Sequence, residues 1–297
     1  MNLLFRIARL GWVLSPWFIV WLSAQACTIF FLTDTNRTLF CNNEDWWSTR
    51  PQIWFVPGGK HYGCGYVGFL TQVSQGGCNT EGLAFDWVAG YRERWARSPK
   101  QRISRGIPHE RMLETCATVE EAIAFYRAHW EPSFRSAKML VADRHGAAAV
   151  LGAHEGRFEV QRGTNSDGFG YGRKVLKAMI RSHAEATLTN AAQILQAARQ
   201  PGAGGTKYSN VFDLNSGGIF LFLPGRPEMI SLDLSEELKR GSHWYEMARI
   251  DQERAAKPKR LSRVVDWILT VCCPLRYSRP TASEEPRVAL LSPKDQS

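Results

Sequence analysis

Several features that would settle a function outright are missing from this chain of 297 residues. No C-x-x-C pair and no His/Cys cluster has the spacing of a structural zinc site, so no metal is expected, and no other cofactor is called for. Its histidines are scattered singly, and none has the partner spacing that would support a Cys-His dyad. The seven cysteines, Cys27, Cys41, Cys64, Cys78, Cys116, Cys272 and Cys273, are too few for a dense disulfide framework, and their odd number leaves one over. Basic residues are not interleaved with aromatics as in a nucleic-acid reader. Much of the net charge of +9 lies in Arg92 to Arg111 and after Lys239; such charge can favour anionic partners or a membrane surface, but it usually only keeps a surface soluble.

A long apolar run is also missing: the stretch from Leu10 to Leu22 falls short of the roughly 20 residues that span a bilayer. What is there is a secretory signal. Arg6 and Arg9 precede the apolar stretch, and Ala24 and Ala26 supply the small residues at minus three and minus one. Cleavage before Cys27 predicts an exported protein, periplasmic or extracellular, whose remaining chain keeps +7 of the +9 charge because only Arg6 and Arg9 are lost. The alternative is a segment retained as a membrane anchor. Residues 1–26 are thus read as signal peptide, 27–250 as the main domain and 251–297 as a basic C-terminal extension. In that extension Leu261, Val264, Val265, Ile268, Leu269 and Cys272 have helical spacing, suited either to a membrane surface or to packing back on the domain. Membrane contact is expected only through the signal or this extension.

Periodicity predicts strands over Thr28–Leu32, Arg37–Asn42, Gln52–Val56 and Leu83–Val88, the last following a turn at Gly76-Gly77-Cys78-Asn79. A helix is expected over Val119–His129 with Thr118 as N-cap. Strands then follow over Lys138–Asp143, Ala147–Leu151 and Phe158–Gln161, helices over Lys174–His183 and Thr189–Arg199, and a hairpin over Val211–Leu214 and Ile219–Leu223. Runs of strands and runs of helices indicate an α+β domain, with two stacked antiparallel sheets covered by helices.

Cys27-Thr28-Ile29-Phe30, Asn42-Asn43-Glu44-Asp45-Trp46 and Gly76-Gly77-Cys78-Asn79-Thr80-Glu81-Gly82-Leu83-Ala84-Phe85 together resemble the choloylglycine hydrolase and penicillin V acylase group. Further matches lie at Ser136–Asp143, Thr164-Asn165 and Lys207–Leu214, so the resemblance spans roughly Cys27 to Leu223. It implies the four-layer αββα sandwich of N-terminal-nucleophile hydrolases, acting on a small-molecule N-acyl amide through an acyl-cysteine.

Elementary chemistry supports Cys27 independently. An α-amine ionises near about 8 and a thiol near about 8.5, so a freed N-terminal amine is a competent base for its own side chain, whereas a peptide nitrogen is not. Competing readings of Cys27 are lipidation, against which Ala24 stands three residues before it, and a disulfide to Cys41 or Cys78. The resemblance further implies Asp45 as the carboxylate that holds the α-amino group, Asn79 and Asn165 as oxyanion-stabilising amides, and Arg173 as a later active-site arginine. Asn42 stands where many relatives carry arginine, bringing a donor but no positive charge. Trp46, with Trp47, Trp54, Phe55 and Trp87, is expected to line an apolar acyl pocket. An acyltransferase on the same scaffold and a lipid-anchored binding protein without activity are the rival readings.

Overall fold

The computed structural model describes residues 27–48, 50–69 and 73–256, together with the backbone of 259–260. The predicted signal peptide and the predicted amphipathic segment after Leu261 lie outside the described residues. Within them the chain forms β1 (Thr28–Thr33), β2 (Thr38–Asp45), β3 (Gln52–Val56), β4 (Cys64–Gly68), β5 (Ser74–Asn79), β6 (Leu83–Ala89) and β7 (Arg102–Ile103). Helices α1 (Pro108–Thr115) and α2 (Val119–Ala128) follow, then β8 (His129–Trp130), β9 (Ala137–Asp143), β10 (Ala148–His154), β11 (Arg157–Gly163) and β12 (Asp167–Gly170). Next come α3 (Arg173–Ser182), α4 (Leu188–Ala197), β13 (Thr206–Asp213), β14 (Gly218–Phe222), β15 (Ile230–Asp233), α5 (Leu234–Lys239), β16 (His243–Glu246), α6 (Ile250–Ala255) and β17 (Lys259–Arg260).

Two large antiparallel sheets result, a six-stranded one in the order β12-β1-β2-β13-β14-β15 and a nine-stranded one in the order β11-β10-β9-β6-β5-β4-β3-β16-β17. Strand alternation sorts their side chains into three apolar layers. Ile29, Phe31, Phe40, Ala84, Val88, Tyr208 and Phe212 fill the space between the sheets. Phe30, Leu32, Leu39 and Cys41 face Leu176, Ile180, Ile194 and Leu195 of α3 and α4. Leu83, Phe85 and Met139 face Met112, Leu113, Ala122 and Ile123 of α1 and α2. This is the expected αββα sandwich.

Three expectations about elements change. Gly76-Gly77-Cys78-Asn79 is the second half of β5 and not a turn, because its backbone is paired on both sides, with β4 and with β6. Strand β2 runs on to Asp45, since β13 pairs with it as far as that residue. Residue 251 lies inside α6, which packs through buried Ile250 and the Arg254–Glu237 ion pair of 3.3 Å, so the folded unit does not stop at 250. The five described cysteines are all free thiols.

Candidate active site

Cys27 immediately precedes β1, a strand flanked by β12 and β2. Its carbonyl accepts the Tyr171 N–H at 3.2 Å. Gly170 makes that approach possible: its φ is +116°, and a Cβ there would stand 1.9 Å from the Cys27 carbonyl oxygen.

The Cys27 thiol is buried and directed at carboxyl groups. Sγ donates to Glu44 Oε1 at 3.5 Å and makes a longer contact of 3.9 Å with the Asp45 carbonyl oxygen. Glu44 Oε2 accepts from Asn42 Nδ2 at 3.1 Å. Asn42 and Glu44 share the inward parity of Phe40 on β2, which is why both reach the inter-sheet layer. Opposite them, β13 carries an irregularity between Thr206 and Tyr208 that sets Thr206 against Asp45 and Tyr208 against Glu44. Thr206 Oγ1 then donates to Asp45 Oδ1 at 2.6 Å. Asp86 comes from the other sheet, on the inward parity of Ala84 and Val88. It pairs across strands with Gly76, where a Cβ would stand 2.2 Å from Asp86 Oδ2.

Around this cluster the apolar core is interrupted by polar atoms that no protein group satisfies. Asn42 Oδ1, Asp45 Oδ2, Asp86 Oδ2, the Tyr208 hydroxyl and both ends of the Asn210 amide are buried without a hydrogen-bond partner. Buried polar groups are ordinarily paired, so each unpaired one calls for an explanation such as a catalytic role or a bound water.

Burial dominates the electrostatics. It pushes the Cys27 thiol well above its usual range, with the charges of Glu44, Asp45 and Asp86 adding to the effect. It pushes the Glu44 carboxyl up to about 8 against the donation from Asn42. Asp45 rises to about 7 for the same reason, against the Thr206 hydrogen bond. Asp86 is held well above the usual carboxylate range by burial and by the Glu44 charge. Between the ordinary carboxyl pKa of about 4 and these raised values, the folded chain binds more protons than the unfolded one, so stability falls as pH rises. For the chain with Cys27 still in a peptide bond, the urea midpoint is expected to decline from pH 5 to pH 8, and Glu44→Gln is expected to flatten that decline. A midpoint that climbs over this range, or one indifferent to the substitution, would contradict the reading.

The structure brings together Cys27, Asn42 and Asp45. Asn42 donates to Glu44 and not to the thiol. Arg173 opens α3 just beyond Tyr171, near enough to Tyr91 for its charge to act on that hydroxyl. Trp46 is 39% exposed and stacks on Phe69 at 6.1 Å, which meets Tyr208 edge-on at 6.0 Å, so an aromatic path leads from the surface to the cluster. Phe55 joins the inter-sheet layer, but Trp54 and Trp87 lie on the outer face of the nine-stranded sheet and do not join that path.

Asn79 and Asn165 are not brought to Cys27. Asn79 spends both amide hydrogens on the carbonyls of Leu113 and Cys116, each at 2.7 Å, leaving none for an oxyanion. Asn165 is exposed beyond the far end of β12, next to Ser166, which bonds Thr33, whereas Cys27 is held at the Gly170 end. In their place stand Glu44, Asp86, Tyr208 and Asn210. Strand parity with Asn42 marks Glu44 in the sequence, but nothing local reveals that Asp86 faces it from the second sheet.

No protein-family model and no curated protein matches the chain. Solved structures do. It superposes on penicillin V acylase from Agrobacterium tumefaciens with a TM-score of 0.58 at 13% identity, over 71% of this chain and 86% of that one. It superposes on two variants of conjugated bile acid hydrolase from Clostridium perfringens, also at 0.58, with 14% and 15% identity, over 80% and 81% of this chain and 100% of each of theirs. The chain has the N-terminal-nucleophile hydrolase fold. In this instance of the N-terminal-nucleophile fold, Asn42 and two inward carboxyls occupy the centre, with no basic side chain among the hydrogen-bond partners of Glu44 or Asp86.

Proposed function

We propose that the protein hydrolyses a linear, non-peptide carbon–nitrogen amide bond of a small N-acyl substrate, with Cys27 as nucleophile and an acyl-cysteine intermediate. The observation that carries this reading is the placement of Cys27 at the head of a strand inside the six-stranded sheet, its thiol turned into a buried group of carboxyls. The two kinds of structural neighbour, a penicillin V acylase and a conjugated bile acid hydrolase, favour amide hydrolysis as the reaction class.

In this proposal, removal of residues 1–26 during export frees the Cys27 α-amine. Asp45 Oδ2, buried and without a partner, is the acceptor suited to hold it. The thiolate attacks the acyl carbonyl, the amine product leaves, and water resolves the thioester. Tyr208 takes over the oxyanion-stabilising role expected of Asn79. Its hydroxyl is unpaired, burial keeps it protonated, and it lies close enough to Cys27 to sense its charge. Tyr208→Phe is expected to cost about 3 kcal/mol of transition-state stabilisation, on the order of a hundredfold in kcat, with substrate binding little changed.

Intact-mass spectrometry of the exported protein before and after a thiol-directed acylating probe tests the reading, followed by a screen of N-acyl amides. A mature chain beginning at unmodified Cys27, with one adduct at that residue, supports it. A retained leader or a lipidated cysteine refutes it.

A further inference from the structure

A cavity of about 470 Å³ lies between α4 and the ends of β13 and β14, on the outer face of the six-stranded sheet. It forms where β14 stops at Phe222 and the chain turns, with Gly225 at a φ of +77° and the Arg226 N–H donating to the Leu223 carbonyl at 3.2 Å. Ala192, Leu195, Phe222 and Leu223 give it an apolar lining, and Arg199 and Arg226 bring two cations. Its polar floor is separate from the cleavage centre. Ser209 and Asn43 face the helices, as Val211 and Cys41 do, whereas Asn42, Glu44 and the Cys27 thiol face the other sheet. The lining is fixed in advance: Ser209 Oγ donates to Asn43 Oδ1 at 2.6 Å, and Asn43 Nδ2 to the Leu195 carbonyl at 2.9 Å, which ties β13, β2 and α4 together.

We infer that this cavity is a binding site for a small carboxylate with an apolar body, apart from the amide-cleaving centre. Arg199 carries the charge argument. It is partly buried, and its guanidinium pairs with no group among the described residues. Nor is it spent on the end of α4, where the Ala198 N–H takes the Ile194 and Gln196 carbonyls, Asn43 takes that of Leu195, and the Thr28 hydroxyl takes that of Ala198 at 3.5 Å. A free guanidinium presents a planar fork of donors that the two oxygens of a carboxylate match. Arg226 adds a second positive charge, shared with the exposed Asp251 at 2.8 Å, and no acidic residue is among the described residues that line the cavity. The apolar lining rewards burial of a hydrocarbon body. The volume lies within the roughly 300–1,000 Å³ of small-molecule sites, which selects a small ligand over a macromolecule. No group of the cleavage centre takes part, so the site does not depend on Cys27 being the nucleophile.

Octanoate is the probe, titrated into the protein by isothermal calorimetry with octanol and acetate alongside. Octanoate is expected to bind about tenfold or more tighter than octanol, which lacks the charge, and than acetate, which lacks the apolar body. Arg199→Met keeps an apolar stem and removes the fork, so octanoate affinity is expected to fall about tenfold or more while octanol is held as before. Ala192→Phe fills the cavity from α4 and is expected to weaken both octanoate and octanol. Thermal unfolding without ligand reports that each variant is folded, and the loss for octanoate alone in Arg199→Met is a pattern that general destabilisation does not produce. Octanoate held no better than octanol by the wild type, or octanoate binding undiminished by both substitutions, overturns the assignment.

Discussion

Cys27→Ser is expected to lower kcat/KM by about a thousandfold or more while leaving the fold intact, the largest effect predicted for any single substitution. Serine fits the space of the thiol and keeps a hydrogen on the line to Glu44. An alcohol, however, gives up its proton far less readily than a thiol. Cys41→Ser and Cys78→Ser serve as controls. Cys41 lies under α3 and α4 and Cys78 in the inter-sheet core, and burial pushes both thiols upward without any base placed against them. Steady-state kinetics on a cleaved N-acyl amide decide the matter: turnover of the Cys27 variant within tenfold of wild type would remove Cys27 from the chemistry.

The second large effect concerns stability. Asn79 joins four backbone groups: Nδ2 donates to Leu113 and Cys116, and Oδ1 accepts from Glu81 at 3.1 Å and Leu83 at 3.0 Å. Leu113 and Cys116 lie at the C-terminal end of α1, where carbonyls lack partners within the helix, so Asn79 caps that end and ties it to the turn into β6. Leaving a buried polar group unpaired costs about 1–3 kcal/mol each. Asn79→Ala is therefore expected to lose roughly 3–5 kcal/mol in urea unfolding, a large share of the 5–15 kcal/mol that holds a typical domain together. The kcat of the folded fraction is expected to stay within about threefold of wild type. The opposite pattern, unchanged stability with kcat reduced a hundredfold, would restore Asn79 as an oxyanion donor.

These two residues show where sequence reading succeeds and where it stops. Asn79 and its neighbours match the resembled family's pattern, but matching in sequence does not say which carbonyls an amide finds, and here α1 supplies them. Asn165 is equally legible as part of a Thr-Asn match and lies before β12, beyond the end of that strand far from Cys27. Trp54 and Trp87, both aromatic and near the site in sequence, fall on the outer face of their sheet by strand parity. Glu44 shares a motif with Asp45, yet the carboxyl its charge acts on, Asp86, is 42 residues further on and in another sheet.

The sequence by itself determined the α+β class, most of the strands and helices, and the candidacy of Cys27, because these follow from periodicity, from the leader-like segment before it and from the chemistry of an N-terminal thiol. Only the tertiary structure decided what surrounds that thiol. Strand pairing sets Glu44 beside Tyr208, and packing two sheets face to face sets it against Asp86, shields these groups from water, and so raises the proton affinity of side chains that in an extended chain would be ordinary solvated acids.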